Sequence, residues 1–189
     1  IAAETTFIYA PLAHRLGLNN VKTEFQDLCM KITDRENYNE VAKKLQETKK
    51  SRTNYIANFI EPLEAKLKEN DIPYRITGRP KSIYSIWNKL KTKKVPFEEI
   101  YDLFAVRIIV DAPINKEKSY CWQAYSVVTD VYQPIPERLK DWITIPKSNG
   151  YESLHTTVVG PDGRFVEVQI RSERMDDIGG GAPAPVGDS

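Results

Sequence analysis

The stretch LHTTVVGPDGRFVEVQI, residues 154–170, decides the fold. Its two halves are rich in β-branched residues and flank Pro161, Asp162 and Gly163, so it reads as two strands joined by a hairpin turn. In the second half Val166, Val168 and Ile170 alternate with Phe165, Glu167, Gln169 and Arg171. One face therefore meets a core, and the other carries a carboxylate in mid-strand. Working backwards, FAVRIIV (104–110) reads as a buried strand with a short helix before it, and IPYRIT (72–77) as a shorter strand. Residues 78–80 read as a turn, 81–91 and 116–131 as helices, and 134–153 as mostly loop. The expected architecture is an α+β domain with a mixed sheet over residues 72–178.

Residues 1–35 read as helical, with Phe7, Ile8, Leu12 and Leu16 as an apolar stripe and Gly17 as a stop. Residues 36–71 read as a helical connector without a core of its own. Pro62 is expected to interrupt it, since proline lacks an amide donor and clashes with the preceding turn. The tail GGGAPAPVGDS, 179–189, reads as disordered or as an added linker.

The 189 residues carry a formal net charge of +1, so any anion site must come from local clustering. Two cysteines far apart and two histidines argue against a thiolate or zinc centre. No run of about 20 apolar residues suggests a spanning helix, and no signal-peptide layout opens the chain, so a soluble cytoplasmic protein is expected. GxSxG, Walker A and GxGxxG patterns are absent.

Three constellations could carry chemistry. In GRPKSIYSIWNKLKTKK (78–94), Ile83, Ile86, Trp87 and Leu90 share one helical face, and Lys81, Ser85 and Lys89 share another. Two ammonium groups and a hydroxyl beside a helix N-terminus suit a chain of phosphates; a solvated surface stripe is the plain alternative. Glu167, flanked by core residues, needs a partner. That partner is either a salt bridge, with Arg107 or Arg171, or a divalent cation such as Mg²⁺ shared with a second carboxylate, Asp102. In KSNGYESLHT (147–156), Asn149 and Gly150 suit an unusual turn that exposes Tyr151, with His155 four residues on. That arrangement suits stacking on a base, or a tyrosine simply packed on the hairpin.

Together, YRITGRPKSIYSIWNKL, YDLFAVRIIV, RLKDWITIPKSNGYESLHTTVVGP and VEVQIR, in that order, resemble the synthetase domain of the RelA/SpoT homologue family, the (p)ppGpp or alarmone synthetases. ETTFIYAPLAHRLGLNNVKTEFQDL resembles the last helices of the hydrolase domain that precedes it in long members, making residues 1–35 a remnant of that domain. The resemblance implies a nucleotidyltransferase-like mixed sheet surrounded by helices. It implies transfer of the β,γ-pyrophosphate of ATP to the ribose 3′-hydroxyl of GTP or GDP, as in the stringent response. By the same resemblance Arg79 and Arg107 sandwich adenine; Lys81, Ser85 and Lys89 hold ATP phosphates; Asp102 and Glu167 bind Mg²⁺, with Glu167 as base. Tyr151 stacks on guanine, and Lys140, Lys147, Asn149, His155 and Gln169 place the acceptor. The chain departs from the family pattern at Ser82, where many members carry histidine, and after residue 178, where a further helix is expected. For the whole protein the family implies ribosome association or control by C-terminal domains. The alternatives are a nucleotide-binding or regulatory module that has lost the chemistry, and an RNA-binding domain built on lysines 89–94. The near-neutral charge disfavours the latter, so no nucleic-acid or membrane partner is expected.

Overall fold

The hairpin forms as the alternation requires: β5 (Leu154–Val159) pairs antiparallel with β6 (Phe165–Ser172), setting Thr157 opposite Glu167 and Val159 opposite Phe165. The turn between them puts Asp162 and Gly163 at φ of 60° and 69°, where aspartate and glycine are the tolerated residues. The computed structural model describes residues 1–16, 18–97, 100 and 104–178, with Asn19, Arg79, Pro80 and Phe104 described by their backbone only. Gly17, most of the helix expected before residue 104, the tail, Asp102 and the side chain of Arg79 lie outside the described residues.

β6 lies at the centre of the sheet. Its other neighbour is β2 (Phe104–Val110), parallel to it, with Ala105 beside Glu167 and Arg107 beside Gln169. β1 (Tyr74–Pro80) lies antiparallel on the far side of β2, and the short strands β3 (Gln133–Pro134) and β4 (Lys140–Asp141) both pair with β5. The order is β1-β2-β6-β5-β3, with β4 branching from β5. β1 continues through Gly78–Pro80, where a turn was expected; its pairing with β2 runs to Pro80 opposite Phe104.

One face of the sheet is dry. Val106, Ile108, Val110, Val166, Val168 and Ile170 pack against Phe59, Leu63 and Leu67 of α5 (Lys49–Glu69) and Cys121, Ala124 and Val128 of α7 (Glu117–Val131). α5 is therefore part of the core, and a boundary at residue 72 divides a single packed unit. Pro62 sits inside α5 without ending it. Its cost of about 3 kcal/mol is outweighed by three fully buried side chains worth roughly 1.5–3 kcal/mol each. The break falls instead at Thr48, between α4 (Arg35–Glu47) and α5. The approach of α5 to β1 is close enough that a methyl group at Gly78 would collide with Ile56.

α6 (Ile83–Lys93) starts two residues after β1 and crosses beside the open face. Ile86 is buried with Val41 of α4, Phe97 and Ile100, and Ile83, Trp87 and Leu90 pack around them, as the helical spacing predicts. The N-terminal segment comprises α1 (Ala2–Glu4), a π-helical stretch Thr5–Tyr9, α2 (Ala10–Arg15) and α3 (Asn19–Thr33). Its expected apolar stripe does not pack: Phe7, Ile8, Leu12 and Leu16 are exposed, and the contact is made by Ala10, Ala13, Cys29 and Met30. α8 (Glu173–Ile178) follows β6 directly. Among the described residues no helix is long and apolar enough to cross a membrane.

Candidate active site

The second face of the sheet is polar and opens into a cleft of about 430 Å³ between β2, β5, β6 and the start of α6. Lys81, Ser85, Lys89, Arg107, Lys147, Tyr151, His155, Glu167 and Gln169 all line it. The period of two in β6 and the one-turn spacing of Ser85 and Lys89 on α6 converge on one space, which Lys81 enters from just ahead of that helix.

Glu167 stands at the middle. Its carboxylate accepts hydrogen bonds from Lys81 Nζ at 3.4 Å and from the Gln169 side-chain amide at 3.0 Å. Burial pushes the carboxyl up, but Lys81, the Gln169 amide and His155 outweigh it and hold the group below the ordinary glutamate value. The salt-bridge partner is thus Lys81, and not Arg107 or Arg171. The carboxylate keeps 27 % of its side chain exposed to the cleft.

Tyr151 was expected to be exposed. It is only 6 % exposed, because Gly150 at φ 80° turns the chain inward and Asn149 Oδ1 accepts the Tyr151 amide at 3.1 Å. Its hydroxyl lies 2.8 Å from His155 Nε2 and accepts from Arg171 Nη1 at 3.4 Å. In the tautomer with its proton on Nδ1, which faces Glu167 Oε1 at 3.9 Å, Nε2 accepts from the tyrosine hydroxyl. Burial pushes the imidazole down to about 4, against the pull of Glu167, and Arg171, Lys147 and Lys140 add to the fall. Lys147 lies over the rings of Trp142 and Tyr151, 4.8 and 5.2 Å from their centroids. Burial, with Lys140 and Lys22, pushes its ammonium below the usual lysine value.

Two acceptor-side candidates stand apart from the cleft wall. Lys140 lines an adjoining hollow with Glu137 and Arg138, which shares Lys89, His155 and Glu167 with the main cleft. Asn149 spends its amide on the turn and on the carbonyl of His14, 3.2 Å away.

The start of α6 offers no free amides to a ligand, contrary to expectation. Ser82 is the N-cap and accepts from the Ser85 amide at 3.2 Å. The Asp27 carboxylate, from α3, accepts from the amides of Tyr84 and Ile83 at 2.9 and 3.4 Å. Burial raises the Asp27 carboxyl above its usual value, and those two amides oppose the rise. Asn20 and Thr23, also on α3, line the cleft. The N-terminal helices therefore contribute to the site as well as packing beside it. Sequence reading missed Asn20, Thr23 and Asp27; their only signal is a recurrence every three to four residues along α3. It also missed Asp176 of α8, which accepts from Arg107 Nη1 at 3.3 Å.

A family model described as a region found in RelA / SpoT proteins matches residues 78–185. The chain belongs to the RelA/SpoT family. It is 43% identical over 178 residues to a guanosine-3′,5′-bis(diphosphate) 3′-pyrophosphohydrolase of Vibrio cholerae, and 42% identical over 174 residues to a GTP pyrophosphokinase of Haemophilus influenzae. The alignments cover 94% and 92% of this chain but 24% and 23% of those proteins, so the chain spans about a quarter of the length of the curated relatives it matches. The crystal structure of small alarmone synthetase 2 from Bacillus subtilis has the same fold, with a TM-score of 0.52 and 26% identity over 65% of this chain and 70% of that one. The matched RelA/SpoT region takes in every site residue from Lys81 to Asp176, while Asn20, Thr23 and Asp27 precede it.

Proposed function

We propose that this cleft binds ATP and a guanosine nucleotide side by side and makes (p)ppGpp. The single observation that carries this reading is Glu167: an ionised carboxylate, bonded to Lys81, on the wall between a cationic stripe and a tyrosine–histidine pair. In the reaction the ribose 3′-oxygen of GTP or GDP attacks the β-phosphorus of ATP. The bond from that phosphorus to the oxygen bridging to the α-phosphorus breaks, and AMP leaves with the electron pair. The 3′ proton passes to Glu167. GDP yields ppGpp and GTP yields pppGpp.

Lys81, Ser85 and Lys89 face the triphosphate, and phosphoryl chemistry of this kind depends mainly on positioning and charge neutralisation. Arg107, with Arg79, stacks on adenine, a role for which a planar guanidinium is better suited than an ammonium. Lys147, Tyr151, His155 and Gln169 hold the acceptor nucleotide, with Lys140 and Asn149 beside them. Glu167 also fits Mg²⁺: it is a hard oxygen donor, ionised and open to the cleft, and magnesium commonly takes one or two carboxylates together with substrate phosphates. Glu167 and Asp102 would hold the ion, which when bound neutralises charge on the transferred phosphates. The substrates are cytoplasmic nucleotides, and the activity belongs in that compartment.

The test is incubation of the purified chain with ATP, GDP and Mg²⁺, the nucleotides being resolved by anion-exchange chromatography. AMP and ppGpp in equal amounts are expected. A folded chain that binds both nucleotides and forms neither product would be a binding module instead.

A further inference from the structure

We propose that Asp176 is a positioning residue that aims Arg107 and Arg171 and so ties the adenine side of the cleft to the guanine side; the assignment of sides rests on the function proposed above. β2 and β6 are parallel neighbours, with Arg107 beside Gln169 and Ile109 beside Arg171. Both arginines therefore rise from the same face of adjacent strands, offset by two residues in register. Two guanidinium groups so placed repel each other, and Arg171 is only 2 % exposed. A buried charge without a partner is costly.

α8 supplies the partner. Asp176 Oδ1 lies 3.3 Å from Arg107 Nη1 and 3.1 Å from Arg171 Nε, and Oδ2 lies 3.8 Å from Arg75 Nη2. The carboxylate is itself buried and does not line the cleft. It acts through the groups it holds. Arg107 reaches the cleft directly. Arg171 lies 5.7 Å from the centroid of the Tyr151 ring and donates to its hydroxyl, which in turn meets His155. One oxygen thus accepts a hydrogen bond from Arg107 and sits within ion-pair range of Arg171, whose Nε makes no hydrogen bond. The neighbouring acids have other duties: Glu173 pairs with Arg75, and Glu117 and Glu152 with Arg174.

The test is a double-mutant cycle on the full chain, read by calorimetric titration with α,β-methylene-ATP and Mg²⁺. Asp176→Asn keeps the shape and removes the charge, and is expected to weaken binding about tenfold, the worth of one hydrogen bond to a charged group. Arg107→Ala should weaken it as well. Added to Arg107→Ala, Asp176→Asn should change affinity by less than about twofold, because the group it aims is gone. Wild-type affinity in Asp176→Asn, or a second full tenfold loss in the Arg107→Ala background, overturns the proposal. If Asp176→Asn shows no cooperative thermal transition, Asp176→Glu, which keeps the charge but displaces it, enters the same cycle with the same expectation. A ligand-free readout separates this idea from the proposed function. The Arg107 and Arg171 Nε–H signals of the isotope-labelled chain should show restricted guanidinium rotation in the wild type, and both should lose it in Asp176→Asn. If the folded wild type binds no α,β-methylene-ATP, the functional reading fails and the spectra alone judge Asp176; unchanged spectra overturn its role.

Discussion

The Glu167 carboxylate and the Lys81 ammonium, 86 residues apart in the chain, meet at 3.4 Å on the wall of the cleft. Lys81, with the Gln169 amide and His155, keeps the carboxylate charged despite its burial. Glu167→Gln should lower (p)ppGpp synthesis by about 100-fold or more, the usual worth of a general base. It should cost about 1–3 kcal/mol of stability by replacing the carboxylate that faces the Lys81 ammonium with a neutral amide. Turnover at saturating ATP and GDP, set beside a thermal melt, checks both; near-normal turnover removes Glu167 from the chemistry.

His155 makes stability depend on pH. Its folded value of about 4 lies below that of a free histidine, so between the two the unfolded chain binds the extra proton. Stability is fully present above about pH 6.5 and is lost as pH falls towards about 4, by up to about 3 kcal/mol. Glu167, also depressed, adds a loss of the same sign at the acid end. Urea titrations at about pH 7 and about pH 5 should show the drop, and His155→Gln should flatten it. An unchanged slope in His155→Gln would assign the drop to other groups.

Tyr151 packs against His155 and Arg171 and, in the function proposed here, also stacks on a base; its variants separate the two. Tyr151→Phe keeps the ring and loses the bonds to His155 and Arg171, and should cost about 1 kcal/mol of stability with little change in GDP affinity. Tyr151→Ala should cost about 3–5 kcal/mol of stability and a further 1–3 kcal/mol of GDP binding, the worth of one base stack. Equal loss of ATP and GDP binding would mark the tyrosine as structural only.

Asp27 holds α6 from outside the matched region. Asp27→Ala leaves the amides of Ile83 and Tyr84 without their acceptor and should cost about 1 kcal/mol, the usual worth of a helix cap. Asp27→Asn, which keeps an acceptor and buries no charge, should cost less. Urea midpoints of the two variants measured side by side decide the order.

The hairpin and its two faces were legible because a period of two along β6 leaves no other way to bury Val166, Val168 and Ile170. Ser85 and Lys89 were legible at helical period, whereas Lys81 lies ahead of α6, which starts at Ile83 and not at 81, and reaches the cleft from the link after β1. The place of α5 was hidden by Pro62, whose local cost is visible in sequence while the burial that offsets it is not. Tyr151 follows an Asn-Gly turn, which suggests exposure; Arg171 and Lys147, reaching it from other elements, cover it. Asp27 and Asp176 were illegible, since their partners lie 57 and 69 residues away and an isolated aspartate near a helix has many uses.

The central position of β6 has a kinetic consequence. Among the described residues it is the last strand, yet it joins β2 to β5. Until it arrives, β1–β2 and the β5 group are separate patches with open edges. Joining them closes the long loop from Ala105 to Glu167, an entropy cost that falls before the contacts that reward it. Assembly should be slow and all-or-none. Glu167 reaches Lys81 in that same closing event, so a partly folded chain lacks the cleft proposed here to hold ATP.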